Sequence, residues 1–113
     1  MNTSGEVTVR IFVLFNLKPG VDAEAYEDWA KRTDIPIVND LASIGSFRVH
    51  AATGLLGSDD KAPYQYVEVI DVADMERFGA DVASETMQRV SAEFQTFADN
   101  PLFVTTRELG DVS

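Results

Sequence analysis

The sequence has no cysteine and a single histidine, His50. Disulfides, thiolate catalysis, iron–sulfur clusters and cysteine-bound zinc are therefore excluded. One imidazole among scattered carboxylates also makes no spaced ligand motif, so neither a metal nor another cofactor is expected. Basic residues are few: 9 Lys and Arg stand against 19 Asp and Glu, a net charge of −10. That balance repels nucleic-acid backbones and anionic membranes, and no basic cluster offsets it. No apolar run approaches the roughly 20 residues of a membrane span. The opening stretch, Met1-Asn2-Thr3-Ser4-Gly5-Glu6, has no basic segment leading into an apolar one. No secretion signal is expected from it, and a cytoplasmic location is. Gly54-Leu55-Leu56-Gly57 precedes a strand rather than a helix, so it is no phosphate loop, and no Gly-x-Ser-x-Gly elbow is present.

What is there is 113 residues, 45% hydrophobic and 25% charged, which suits one globular domain spanning residues 1–113 with one core. From Val7 to Leu17 apolar side chains alternate, the period of a strand. Lys18-Pro19-Gly20 then punctuates the chain, and Asp22 is placed to cap a helix that buries Tyr26, Trp29 and Ala30. Asp34 followed by Pro36 reads as a fresh helix start, with Asp34 as the cap and Ile37, Val38 and Leu41 buried. Strands are expected over Ser46 to Thr53 and Tyr64 to Asp71, joined by a turn-like segment rich in Gly, Ser and Asp. Asp74 caps a further helical region whose apolar stripe resumes after Ser84 with Met87, Val90, Phe94 and Phe97. Asp99-Asn100-Pro101 ends it before a last strand, Leu102 to Thr106. The order βαββαβ is that of an α+β, ferredoxin-like fold, with both helical regions on one sheet face.

The first strand's most apolar row, Val7 to Leu17, is assigned to the helix side, with Phe47, Val49, Val67, Val69, Leu102 and Val104 beside it. The opposite face then carries Phe12, Leu14 and Asn16, Arg48 and His50, Tyr64, Tyr66 and Glu68, and Phe103. Its exposed apolar members point to a homodimer formed by sheet-face packing. Its polar members form the candidate site. Histidine is the ordinary side chain whose unperturbed pKa, about 6.5, lies near neutrality, so His50 is the general acid/base candidate, or it is hydrogen-bonded at a dimer seam. Glu68, mid-strand between two valines, becomes a base if a cavity desolvates it, or it is paired by an arginine. Tyr66 completes the catalytic set, with Trp29, Arg48, Tyr64 and Asn16 as substrate-binding residues. Tyr26, Trp29 and the Met87–Phe97 stripe read more simply as core, and Asp34 as a cap.

Leu14-Phe15-Asn16-Leu17-Lys18-Pro19-Gly20-Val21, then Tyr26, Trp29 and Thr33-Asp34-Ile35-Pro36, Tyr64-Gln65-Tyr66-Val67-Glu68-Val69-Ile70, and Asp99-Asn100-Pro101-Leu102-Phe103 come in an order and spacing that resembles the RedY-like, or HapK, family. The resemblance covers about Val9 to Leu109. It implies a dimeric α+β barrel and a setting in bacterial secondary metabolism, around prodigiosin-type pigments, and carries over no catalytic residues. By fold analogy the pocket lies between sheet and helices instead, lined by Tyr26, Trp29, Phe47, Val67, Met87 and Phe94. Three functions stay open. The first is a cofactor-independent cyclase, isomerase or dehydratase acting on an apolar aromatic or polyketide-like intermediate. The others are a non-catalytic carrier of such a molecule and a cofactor-free monooxygenase.

Overall fold

A computed structural model describes residues 9–110. Strand β1 (Val9–Leu17) leads into helix α1 (Ala23–Trp29), a π-helical turn (Ala30–Asp34) and helix α2 (Ile35–Asn39). Strands β2 (Ile44–Ala51) and β3 (Tyr66–Val72) follow, then helices α3 (Met75–Val82) and α4 (Glu85–Phe97), and strand β4 (Ala98–Thr106). The expected start of the first strand at Val7 lies outside the described residues. The strands form one sheet in the order β2-β3-β1-β4, with β1 antiparallel to β3 and β4, and β2 antiparallel to β3. This is the expected α+β, ferredoxin-like arrangement. A βαβ crossover puts its helices on one face, so two such units cover one side of the sheet and leave the other bare.

The expected caps at Asp22 and Asp74 form. Asp22 accepts from the Glu24 amide at 3.3 Å and Asp74 from the Arg77 amide at 3.1 Å, and Ser84 likewise caps α4 through the Met87 amide. Each satisfies a helix N–H that has no partner within its own helix.

Asp34 does not cap. Its backbone is helical (φ −65°, ψ −55°) and its side chain makes no capping bond. Pro36 supplies the reason. It has no N–H to give the carbonyl four residues back, and its ring crowds that carbonyl. The chain accommodates it by widening one turn, so the Ile35 N–H reaches the Ala30 carbonyl, five residues back. The widened turn has a geometric consequence. Tyr26, Ala30, Asp34 and Val38 are all buried, at steps of four residues. On a regular α-helix each such step overshoots by about 40°, and three would carry Val38 off the core face. One extra residue in a turn takes back about 100°, which keeps all of them, Asp34 included, pointed at the sheet.

The strand register corrects the face assignment of β3 and β4. Val13 pairs with Glu68 on one side and Phe103 on the other, and Phe15 pairs with Tyr66. Directly paired residues share a face. Tyr66, Glu68, Ile70 and Phe103 therefore lie on the helix side with Ile11, Val13 and Phe15. Val67, Val69, Leu102 and Val104 lie on the bare face with Phe12, Leu14, Arg48 and His50. The strand β4 also begins sooner than Leu102. It takes over directly from α4 at Ala98 and bulges at Asn100, whose φ of 47° is one an asparagine tolerates.

The core is an aromatic stack on the helix side. Phe15 is fully buried, 5.5 Å from Tyr66 in a stacked arrangement, with Tyr26 and Phe94 edge-on at 5.6 and 5.0 Å. These separations are those at which ring pairs attract beyond simple burial.

Candidate active site

Between the sheet and helices α2, α3 and α4 lies a cavity of about 460 Å³. Its walls are mostly apolar: Ile11 and Ile70 from the sheet floor, Phe47, Val38 and Leu41 from one side, Met87, Val90 and Phe94 from α4. Exposed Phe103 and Val82 stand at its mouth. Into this apolar space the fold directs two carboxyl groups, Glu68 from the middle of β3 and Asp34 from the π turn.

Both are almost completely buried, 4% and 5% exposed. Burial alone pushes the Asp34 carboxyl up to about 7. Glu68 is pushed up to about 8, first by burial and then by the neighbouring charge of Asp34. A hydrogen bond from the Tyr26 hydroxyl to Glu68 Oε2, long at 3.4 Å, works weakly the other way. Tyr26 is itself held neutral by burial and by the same acids. Two like groups that share a dry site do not both ionise near neutrality, so their titrations are steps of the pair. Such a pair favours the singly ionised state, one carboxylate beside one carboxylic acid. That pairing can take a proton from one atom and return it to another.

The expected catalytic set is divided. Glu68 and Tyr66 point to the helix side, but Tyr66 donates its hydroxyl to Glu27 Oε2 at 2.7 Å and lines a separate, shallower groove with Glu27 and Ala51. His50 is exposed on the bare face of the edge strand β2, across from Val67. The sheet separates it from Glu68.

The expected substrate-binding residues are dispersed as well. Trp29 Nε1 donates to Glu93 Oε1 at 2.7 Å, and its ring packs on Phe97 rather than on the cavity. Arg48 is exposed on the bare face, where its charge helps hold Asp71 below the usual carboxylate range after the stronger effect of the Arg10 hydrogen bond. Tyr64 borders the shallow groove. Asn16 ties down the long β2–β3 connection, donating to the Pro63 carbonyl at 3.2 Å and accepting from the Gln65 amide at 2.9 Å. Asn16→Ala is therefore expected to cost about 1–2 kcal/mol in urea unfolding and to leave ligand binding in the cavity unchanged.

Of the alternative pocket read from the sequence, Phe47, Met87 and Phe94 do line the cavity, and Tyr26 reaches it through Glu68; Val67 faces away. Asp34 was missed as a site residue. Its one sequence signal was the four-residue spacing Tyr26, Ala30, Asp34, Val38 running into a proline. Among the described residues no three His, Cys, Asp or Glu side chains cluster in a way that could hold a metal ion. No helix among them is long and apolar enough to cross a membrane.

Residues 9–109 match the family described as REDY-like protein HapK. The chain belongs to that family. The crystal structure of HapK from Hahella chejuensis is similar at 31% identity, with a TM-score of 0.72 over 93% of this chain and 96% of that one. A hydroxynitrile lyase from Passiflora edulis shares the fold at 12% identity, with a TM-score of 0.75 over 89% of this chain and 93% of that one. A dimeric ferredoxin-like protein of unknown function from Thermobifida fusca does so at 15% identity, with a TM-score of 0.68 over 88% and 89%. No curated protein sequence matches the chain. The HapK family match spans every element that builds the cavity, from β1 to β4.

Proposed function

We propose that this HapK-family protein is a general acid/base enzyme of secondary metabolism that needs no cofactor and acts on an apolar aromatic or polyketide-like molecule. One observation carries the reading: two buried carboxyls, with pKa values raised toward neutrality, share a mostly apolar cavity whose remaining polar side chains, Ser91 and Gln95, are uncharged. Groups so placed are structurally costly, and apolar residues would stabilise the fold more. Asp34, with no hydrogen-bond partner among the described residues and the lower value of about 7, is the base. Glu68, which holds its proton to about 8 and is oriented by Tyr26, is the acid. The general-base role expected of His50 passes to Asp34 in this reading. Isomerisation, cyclisation and dehydration all need such a paired proton removal and return.

The bare sheet face supports a homodimer. Leu102 is 48% and Val104 42% exposed there, beside half-buried Phe12, Leu14, Val67 and Val69, a contiguous apolar patch of the kind that marks an interface. A two-fold pairing of such faces closes both sheets at once.

The reading is tested without knowing the natural substrate. Nitrobenzisoxazole is a flat, neutral probe of desolvated carboxylates. A base takes its ring C–H proton, that electron pair becomes part of a nitrile, and the N–O bond breaks to give a coloured cyanophenolate. The protein is expected to open this ring, with a rate that rises through a midpoint near 7 as Asp34 ionises. Saturable binding of the probe without any ring opening would make the protein a carrier.

A further inference from the structure

Among its lining residues the cavity has two acids and no base to balance them. Lys and Arg are absent from its walls, and the ion pairs among the described residues, Arg10–Asp71 and Arg32–Asp28, lie elsewhere on exposed surface. Asp34 is 5% exposed, accepts no capping bond, and has its remaining surface in the cavity. Burial is what raises its pKa, and among the described residues its side chain makes no hydrogen bond or ion pair. A buried carboxylate is normally paired with a cation or bonded by several N–H groups. Here the Tyr26 hydroxyl serves Glu68 at 3.4 Å, and the neutral polar side chains on the cavity wall, Ser91 and Gln95, carry no charge to offset the acids. Four phenylalanines, Phe47, Phe78, Phe94 and Phe103, line the walls, and the face of an aromatic ring attracts a weakly hydrated cation.

We infer that the missing positive charge is the ligand's, and that the cavity selects an organic ammonium or iminium with an apolar, ring-sized body whose charged nitrogen pairs with Asp34 and Glu68. The inference rests on the acid pair of the proposed function and narrows its substrate class. Anionic ligands, carboxylates and phosphate esters included, are excluded by the same charges. The overall charge of −10 adds a field that draws cations in and keeps anions out. A bound cation also favours the ionised form of both acids, so binding of the ammonium releases protons from the protein around neutral pH.

Titration calorimetry of the intact protein with three probes of one shape tests this: naphthylethylamine, naphthylethanol and naphthylpropionate. At pH 8 the ammonium is expected to bind at least about tenfold more tightly than the alcohol, and the carboxylate not at all. Protons released on binding the ammonium would show as a dependence of the measured heat on the buffer's own ionisation heat. Asp34→Asn and Glu68→Gln are each expected to remove most of the preference while leaving the alcohol's affinity within about twofold. An alcohol that binds as tightly as the ammonium overturns the inference, as does a bound carboxylate. Ring opening of nitrobenzisoxazole together with equal binding of amine and alcohol keeps the acid/base reading and rejects the cationic ligand. Amine selectivity without ring opening does the reverse, and no binding by any of the three rejects the cavity as this site.

Discussion

Asp34→Asn is expected to slow the opening of nitrobenzisoxazole by at least about a hundredfold, the usual scale of a lost general base. The variant keeps the shape of the side chain and removes only its ability to take a proton. Glu68→Gln should cost less in this reaction, about tenfold, because the phenolate leaves with little help from an acid. It should leave the pH midpoint near 7, since burial and not the charge of Glu68 raises Asp34. His50→Ala should leave the rate within about twofold, because the sheet lies between His50 and the cavity. A loss in His50→Ala equal to that in Asp34→Asn would return the chemistry to the bare face.

Stability should fall as pH rises, which is unusual for an acidic protein and follows from the same pair. The sign is fixed by proton counting. In the unfolded chain both carboxyls ionise near their ordinary values of about 4. In the folded chain they keep their protons to about 7 and about 8. Between those limits the native state binds more protons than the unfolded one, so raising the pH favours unfolding by about 1.4 kcal/mol per pH unit for each proton held. Asp71, held low by Arg10, contributes on the opposite, acid side, below its unfolded value, and does not enter this window. Unfolding free energy should drop by at least about 3 kcal/mol from pH 5 to 8. Asp34→Asn with Glu68→Gln should flatten that slope to under about 1 kcal/mol and should be the more stable protein at pH 8. A wild-type profile that is flat or rises over this range would mean that the carboxyls are hydrated or paired.

The element order was legible because each segment obeys one period. The strict alternation of β1, the caps at Asp22 and Asp74 and the stripe of α4 all act locally. Among the features that were not legible, two belong to the site. The faces of β3 were reversed because Glu68 interrupts its buried row of Tyr66, Ile70 and Val72, while Val67 and Val69 offered a cleaner apolar pair. The residue that breaks the pattern is the one that carries chemistry, where local rules are expected to fail. Asp34 was read as a cap because an aspartate two residues before a proline looks the same whether the helix starts there or widens there. The difference lies in whether the preceding helix has ended, and that is decided by packing Tyr26 and Ala30 on the sheet. His50 drew attention as the sole histidine, which is a fact of composition and says nothing of which side of a sheet it occupies.

Carbon-13 NMR titration of the side-chain carboxyls of Asp34 and Glu68 tests the site most directly, because it reads the acids themselves with no ligand or reaction assumed. The pair should give two apparent midpoints near 7 and 8, and Asp34→Asn should bring the Glu68 midpoint down, since the charge of Asp34 is part of what raises it. Two independent midpoints in the ordinary carboxylate range, at about 4, would contradict a desolvated acid pair.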